Sequence, residues 1–253
     1  MTDQVTKAEA FKALHVPGRP IVLFNVWDAG TAKAVAASGA KALATGSWSV
    51  AAAHGFEDGE YMPFDLALAN LERIVAASDL PVTIDLESGY GATPEEVGAT
   101  IARTVRAGAI GFNIEDGVRE TALRDAPEQA ARLRSAREAA DRLGIPAFLN
   151  ARTDVFLIAA SDQHESLVET ALERGRAYAD AGADGFFVPG LADERLIAQV
   201  VEASPLPVNI MAGAKTPKAA RLAELGVARI SHGPGPYRMA MKALEDAARA
   251  ALL

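Results

Sequence analysis

RAGAIGFNIE, residues 106–115, closes a helical pattern, turns on a glycine and enters an apolar run that ends in an acid. The same cadence recurs in ASGAKALATG (37–46), DAGADGFFVP (180–189) and ELGVARISHG (224–233). Gly39, Gly108, Gly182 and Gly226 can each stop a helix without a side-chain penalty. Working outward, the alternation predicts strands at 20–25, 41–45, 81–85, 110–115, 146–151, 184–188, 207–210 and 228–231. Helices are predicted near 29–38, 65–77, 94–107, 127–143, 165–181, 193–203, 217–225 and 237–252. Asp65, Thr93-Pro94 and Thr216-Pro217 read as helix starts, where a short polar side chain caps free amides and Pro suits the first turn. Eight strand–helix units with no Pro/Ser-rich linker predict an α/β fold, a (β/α)8 TIM barrel forming a single domain over residues 1–253. A doubly wound open sheet is the rival, but FNVWDAG (24–30) lacks the GxGxxG fingerprint expected after its first strand.

The 253 residues are 50% hydrophobic, enough for one large core. The formal charge of -8 and the absence of a Lys/Arg cluster argue against nucleic acid as a partner. Zero cysteines exclude disulfides, thiolate ligands and cysteine nucleophiles, and fit a reducing cytoplasm. MTDQVTKAEAFKALHVPG (1–18) does not read as a signal peptide. No apolar run reaches the roughly 18–20 residues of a membrane span, so no membrane partner is expected.

In a barrel, the C-terminal ends of the strands face the reaction centre. Those ends carry Asn25, Trp27 and Asp28; Thr45, Gly46, Ser47 and Trp48; Asp85 and Glu87; Asn113, Glu115 and Asp116; Asn150, Arg152 and Asp154; Asn209; Ser231 and His232. The opposite ends offer Pro20, Lys41, Pro81, Pro146, Asp184 and Pro207, the chemistry of turns and solvent edges. In DLESGYG (85–91), Asp85 and Glu87 are two apart, so an extended backbone sends both to one side, and Glu115 ends the next strand. Three converging carboxylates repel unless something positive joins them, and a hard divalent ion such as Mg2+ would do so. Zinc suits the set less well, with neither cysteines nor a close histidine pair. A structural network of caps and ion pairs is the alternative, and Asp85 alone could be a turn residue. Gly89 and Gly91 permit a tight turn around the carboxylates, or simply a flexible loop. Arg152 in NARTD (150–154) can hold a carboxylate bidentately, or pair with Asp154 or another mouth acid. Ser47 can bind a carboxylate or carbonyl oxygen, or cap a helix. His232 in SHGPGP is either a proton carrier or a rim residue. Trp27, Trp48, Phe56 and Tyr90 suit pocket walls or core, and no Ser-His-acid set suggests a hydrolase triad.

NVWDAGTAKAVAASGAKALATGSW, GFEDGE, DLESGYG, NIEDG and NARTD, in this order between about residues 20 and 235, together resemble the isocitrate lyase and phosphoenolpyruvate mutase superfamily. The resemblance implies a barrel whose last helix is commonly swapped with a neighbouring subunit, in a homodimer or a homotetramer built as a dimer of dimers. It implies Mg2+ or Mn2+ holding an α-oxo carboxylate or enolate. Asp85 would then be the direct metal ligand, with Asp58, Glu87 and Glu115 acting directly or through waters. Gly46 and Ser47 would hold the carboxylate or oxo group, Arg152 would bind or polarise it, and Trp27, Asn209 and Ser231 would shape the substrate pocket. Arg152, Asp58 and His232 are the catalytic candidates.

Departures from the resemblance narrow the reaction. The lyase branch with a KKCGH-like loop uses a cysteine, and this chain has none. Mutases and phosphonopyruvate hydrolases carry a lid lysine and a later Asn-Ser, whereas EDGVRETALRDAPEQ (115–129) contains no Lys, Asn or Ser. The nearest likeness is therefore to the mutase-like branch suited to cleaving small α-oxo acids. The expectation is an Mg2+-dependent carbon–carbon lyase acting on a 2-oxo acid or 2-oxo dicarboxylate, such as oxaloacetate or 2-oxoglutarate. The enolate formed needs a proton from His232, Tyr90 or water. Phosphonopyruvate hydrolysis or phosphoenolpyruvate mutase chemistry, and a non-catalytic α-oxo acid binding protein, are the alternatives.

Overall fold

The computed structural model describes residues 2–118 and 121–252. Its strands are β1 (Ile21–Leu23), β2 (Leu43–Ala44), β3 (Val82–Asp85), β4 (Gly111–Glu115), β5 (Gly117–Val118), β6 (Ala122–Leu123), β7 (Phe148–Arg152), β8 (Gly185–Phe187), β9 (Val208–Met211) and β10 (Arg229–Ser231). Its helices are α1 (Thr2–Ala13), α2 (Ala29–Ala37), α3 (Ser47–Ala53), α4 (Phe64–Ala76), α5 (Pro94–Arg106), α6 (Ala126–Arg142), α7 (Val155–Ile158), α8 (His164–Asp180), α9 (Glu194–Ala203), α10 (Ala219–Glu224) and α11 (Gly235–Ala251).

Eight parallel strands pair in the order β1-β10-β9-β8-β7-β4-β3-β2, the sequential winding of a (β/α)8 barrel. One parallel bridge, Val26 to Thr45, brings β1 and β2 together, with the Val26 amide donating to the Ala44 carbonyl at 2.9 Å. Each of the eight predicted strands overlaps one of these, with β7 and β9 running one residue further, to Arg152 and Met211. Gly108 ends α5 at φ 101°, and Gly39, Gly182 and Gly226 share that left-handed backbone.

Two predicted helix starts move. Thr93 does cap α5, in a capping box with Glu96. Asp65, however, sits inside the first turn of α4, after Pro63. Thr216 closes a local turn instead, accepting from the Gly213 amide and donating to its carbonyl, so α10 begins only at Ala219. The hairpin β5–β6, and α1, α3 and α7, lie outside the predicted elements. Short segments carry too few periods to be read from sequence.

α1 covers the N-terminal end of the barrel. Gln4 donates to the Val105 and Ala109 carbonyls at 2.7 and 2.9 Å, while Ala8 and Phe11 are fully buried. His15 follows, stacked on Phe148 with ring centroids 3.9 Å apart. Burial, and secondarily the charge of Arg229, push its pKa down from 6.5 to about 3. The folded protein therefore holds His15 neutral where the unfolded chain would protonate it. Its stabilising contribution is full above pH 6.5 and declines as the pH falls toward 3, at up to about 1.4 kcal/mol per pH unit. His15→Phe should flatten the acid limb of a denaturant-derived stability profile by close to one proton over that interval. An unaltered slope would mean that other groups set the acid limb.

Candidate active site

β3 delivers Asp85 to the mouth, and the loop after it is folded by its own glycines. Gly89 adopts φ 106°, and a Cβ on Gly91 would lie 2.7 Å from the Val97 amide nitrogen. Arg132 of α6, with no exposed surface, ties the loop from behind. Its guanidinium donates to the carbonyls of Ser88, Gly91 and Ala92 at 2.8, 2.7 and 3.3 Å. The non-glycine residues with left-handed φ among those described are Glu60, Glu87 and Tyr90, and they bond to one another. The Glu60 amide donates to Glu87 Oε2, the Tyr90 amide donates to Glu60 Oε1, and the Tyr90 hydroxyl donates to Glu87 Oε1 at 2.8 Å. Backbone of this kind costs about 1–3 kcal/mol per residue and persists only where surrounding contacts over-determine it.

A cavity of about 350 Å³ opens over the barrel. Asn25, Gly46, Ser47, Asp58, Asp85, Asn113, Arg152 and Ser231 line its polar side; Leu157, Phe187, Pro189 and Met211 line its apolar side. This size and mixture suit a small ligand fixed by a few polar groups. Ser47 Oγ donates to Asp85 Oδ2 at 3.3 Å, and the Glu87 amide approaches Asp85 Oδ1 at 3.4 Å. Asp85 thus has two long hydrogen bonds for a group that can accept about four.

The other acids are already engaged. Glu87 is 3% exposed and accepts from the Gly59 and Glu60 amides at 2.6 and 2.5 Å and from Tyr90. Burial first, then the charge of Asp58, pushes its carboxyl up to about 7. Arg152 lies 2.6 Å from Glu115, 3.9 Å from Asp85, and grips Asp154 through Nε and Nη2 at 2.6 and 3.0 Å. Burial holds the Glu115 carboxyl well above the usual range against the pull of Arg152. Glu87 and Glu115 face a neighbouring opening of about 640 Å³ with Tyr90 and Arg124. The expected convergence of acids therefore occurs, but a guanidinium and backbone amides answer the charge of Glu115 and Glu87.

No group of three or more acidic or histidine residues among those described forms a metal cage. Magnesium does not need one, because it keeps several waters and takes one or two carboxylates. The underused oxygens of Asp85, facing the cavity with Asp58 on its wall, fit that donor set. Glu87 and Glu115 already have partners and face the neighbouring opening rather than this cavity.

Several expected site residues lie elsewhere. Trp27 does not line the cavity: it is 9% exposed and packs edge-on against Tyr237, 5.1 Å away. Trp48 lines it instead, with the Arg238 guanidinium 4.6 Å above its ring and also on the wall. Asn209 lies beneath the floor, accepting from Asn150 at 3.1 Å and from Ser231 at 3.2 Å. The His232 ring is tilted against Phe24, while its backbone amide donates to Asn25 Oδ1 at 2.9 Å. His232 is absent from the cavity lining, and burial lowers its pKa. Sequence reading overlooks Arg238 because α11 begins beyond the strand end, where spacing says little about what reaches the mouth.

Behind the site, Asp116 is fully buried and accepts from the Asp154 amide, from Arg174 and from the Tyr178 hydroxyl at 2.9, 3.0 and 2.7 Å. Arg174 also donates to the Arg124 carbonyl at 2.9 Å, which anchors the base of the β5–β6 excursion to α8.

The family profile of phosphoenolpyruvate phosphomutase matches residues 11–252. A crystal structure from Burkholderia cenocepacia J2315, provisionally named a phosphonomutase, is 58% identical, with a TM-score of 0.96 over 98% of this chain and 99% of that one. The 2-methylisocitrate lyase of Escherichia coli K12 is 29% identical over 215 residues, 83% of this chain and 71% of that enzyme. The oxaloacetate decarboxylase of Pseudomonas syringae pv. tomato is 33% identical over 186 residues, 70% of this chain and 61% of that enzyme. With the barrel, the acid-and-arginine mouth and the ordered motifs, these matches place the chain in the phosphoenolpyruvate phosphomutase family of the isocitrate lyase and phosphoenolpyruvate mutase superfamily.

Proposed function

We propose that this protein is a divalent-metal-dependent lyase that cleaves a carbon–carbon bond of a small 2-oxo acid or 2-oxo dicarboxylate by way of an enolate. The observation that carries the reading is Asp85, whose loosely bonded carboxylate faces a ligand-sized cavity shared with Ser47 and Arg152. Asp85 would hold the ion directly, and Asp58 would support it across the cavity. An Mg2+ or Mn2+ ion bound there supplies Lewis acidity toward a 2-oxo oxygen and the charge of its enolate.

The remaining work falls to the chain. The backbone at Gly46 and the Ser47 hydroxyl bind the substrate carboxylate or oxo oxygen, and Arg152 orients the same end with a fork already fixed by Glu115 and Asp154. Leu157, Phe187, Pro189 and Met211 keep water from the cleaving bond. The electron pair of that bond moves into the 2-oxo carbonyl; the departing fragment leaves as carbon dioxide from a carboxylate, or as a carbonyl compound once its hydroxyl has given its proton to a base, and the enolate carbon then takes a proton from solvent.

An activity panel of 2-oxo acids and 2-oxo dicarboxylates, with product identification, tests this. Turnover is expected with Mg2+ or Mn2+ and none after chelation; full activity in metal-free protein would overturn the reading. Phosphonate chemistry is a second reading, favoured by the name of the Burkholderia homologue and opposed by the absence of lysine, asparagine and serine from 115–129. Conversion of phosphonopyruvate, with no 2-oxo acid cleaved, would select it.

The chain is expected to act on a small α-oxo carboxylate as a homodimer or homotetramer in the cytoplasm. Met239, Met241 and Leu244 of α11 are exposed, a face suited to a second copy. No helix among the described residues is long and apolar enough to cross a membrane.

A further inference from the structure

β10 carries a charge that the proposed reaction leaves without a role. Arg229 is 1% exposed and stands on the same face of the strand as Ser231, one repeat further from the mouth. Its Nε donates to Ser231 Oγ and its Nη2 to Asn113 Oδ1, both at 3.4 Å, and Nη1 has no hydrogen-bond partner. The guanidinium forms no ion pair with a described residue. A buried cation in this condition is costly to keep, since burial favours its neutral form and long hydrogen bonds offset little. Burial lowers its pKa to about 9, which leaves it charged at neutral pH, and Asp85 is the acid whose charge opposes that fall. The same charge is felt at His15, on the opposite side of the core.

Its position gives the charge a direction of action. Ser231 and Asn113, its two hydrogen-bond partners, both line the cavity, and Asp85 pairs in register with Asn113. Arg152 is locally balanced by Glu115 and Asp154, whereas Arg229 has no carboxylate of its own. The field of Arg229 therefore extends into the cavity past Asn113 and Ser231.

We propose that Arg229 is a positioning residue acting through space: a fixed cation beneath Asp85, Asn113 and Ser231 that favours an anion in the cavity and disfavours a divalent cation arriving alone. The ion and the oxo acid are then taken up together rather than independently. The ligands named here rest on the proposed function, but the assignment of Arg229 has its own signature, because one charge acts with opposite sign on the two ligands.

Calorimetry near neutral pH reads that signature, using Mn2+ alone and oxalate at saturating Mg2+ with wild type, Arg229→Met and Arg229→Lys. Arg229→Met should bind Mn2+ about tenfold more tightly and oxalate about tenfold more weakly. Arg229→Lys, which keeps the charge, should stay within about threefold of wild type for both. If Arg229→Met does not fold, Arg229→Gln retains hydrogen-bonding capacity toward Asn113 and Ser231 and carries the same expectation. Shifts of the same sign, or no shift in a variant with native circular dichroism, overturn the assignment. Wild-type Mn2+ affinity that is indifferent to oxalate overturns it without any variant. Opposite shifts in a protein that turns over no 2-oxo acid would support Arg229 and remove the proposed activity; a wild type that binds neither ligand removes both.

Discussion

Asp85→Asn is expected to lower kcat/KM on the substrate found in the panel by about 10³-fold or more, the scale of losing a centre that stabilises transition-state charge. Stability should change little, because the lost contacts are two hydrogen bonds of 3.3 and 3.4 Å and an approach of 3.9 Å to Arg152, and the lost support for buried Arg229 is set against relieved repulsion on Glu87 and Glu115. Asparagine fills nearly the same space and keeps one oxygen, but it cannot supply a formal charge to a cation. Steady-state kinetics should therefore be paired with Mn2+ titration. Activity and Mn2+ affinity should fall together while the thermal transition stays close to wild type. Lost activity with unchanged metal affinity would move Asp85 from holding the ion to some other step.

Arg152→Met should cost far more stability than the average core substitution. It leaves Glu115 and Asp154 buried beside each other without their shared cation, and breaking such a set costs about 3–5 kcal/mol. That is a large part of the roughly 5–15 kcal/mol by which domains are stable. The deficit should be largest at neutral pH and shrink in acid, because protonated carboxyls lose little by burial. Adding Glu115→Gln to Arg152→Met should recover much of the stability by removing one stranded charge, yet restore no turnover, since the fork that orients the oxo acid is still missing. Chemical denaturation of the wild type, both single variants and the double variant measures the coupling. Additive losses would mean that Arg152 and Glu115 are not energetically paired.

The barrel was legible because its signal repeats: a helix, a glycine and an apolar run recur along the chain, and the glycines adopt the left-handed backbone that stops a helix. The mouth was legible for the same reason, since Asp85, Glu115 and Arg152 end strands whose directions agree. Contacts between distant segments were less accessible. Trp27 and Trp48 are both aromatic residues near a strand end and both pack edge-on against Tyr237, yet Trp27 is buried while Trp48 faces the cavity, a difference that spacing does not encode. His232 sits in a promising loop, but Asn25 draws its backbone and Phe24 its ring. Arg132 lies within a helical pattern whose sequence does not reveal three carbonyls waiting 40, 41 and 44 residues upstream. Arg229 did leave a trace, because it shares the inward parity of Ser231, but a single charged residue in a short strand reads equally well as an edge.

Between β1 and β2 the cylinder is joined by one bridge, whereas its other joints are ladders of two to five paired residues. Asn25 spans this seam, donating to the Thr45 carbonyl at 2.8 Å and accepting from the His232 and Gly233 amides at 2.9 Å. Gly46 and Ser47 stand on one bank, Ser231 and Gly233 on the other. A guest that touches both banks acts as a rivet, so occupancy and closure of the cylinder reinforce each other, and the emptied protein should breathe first along this line.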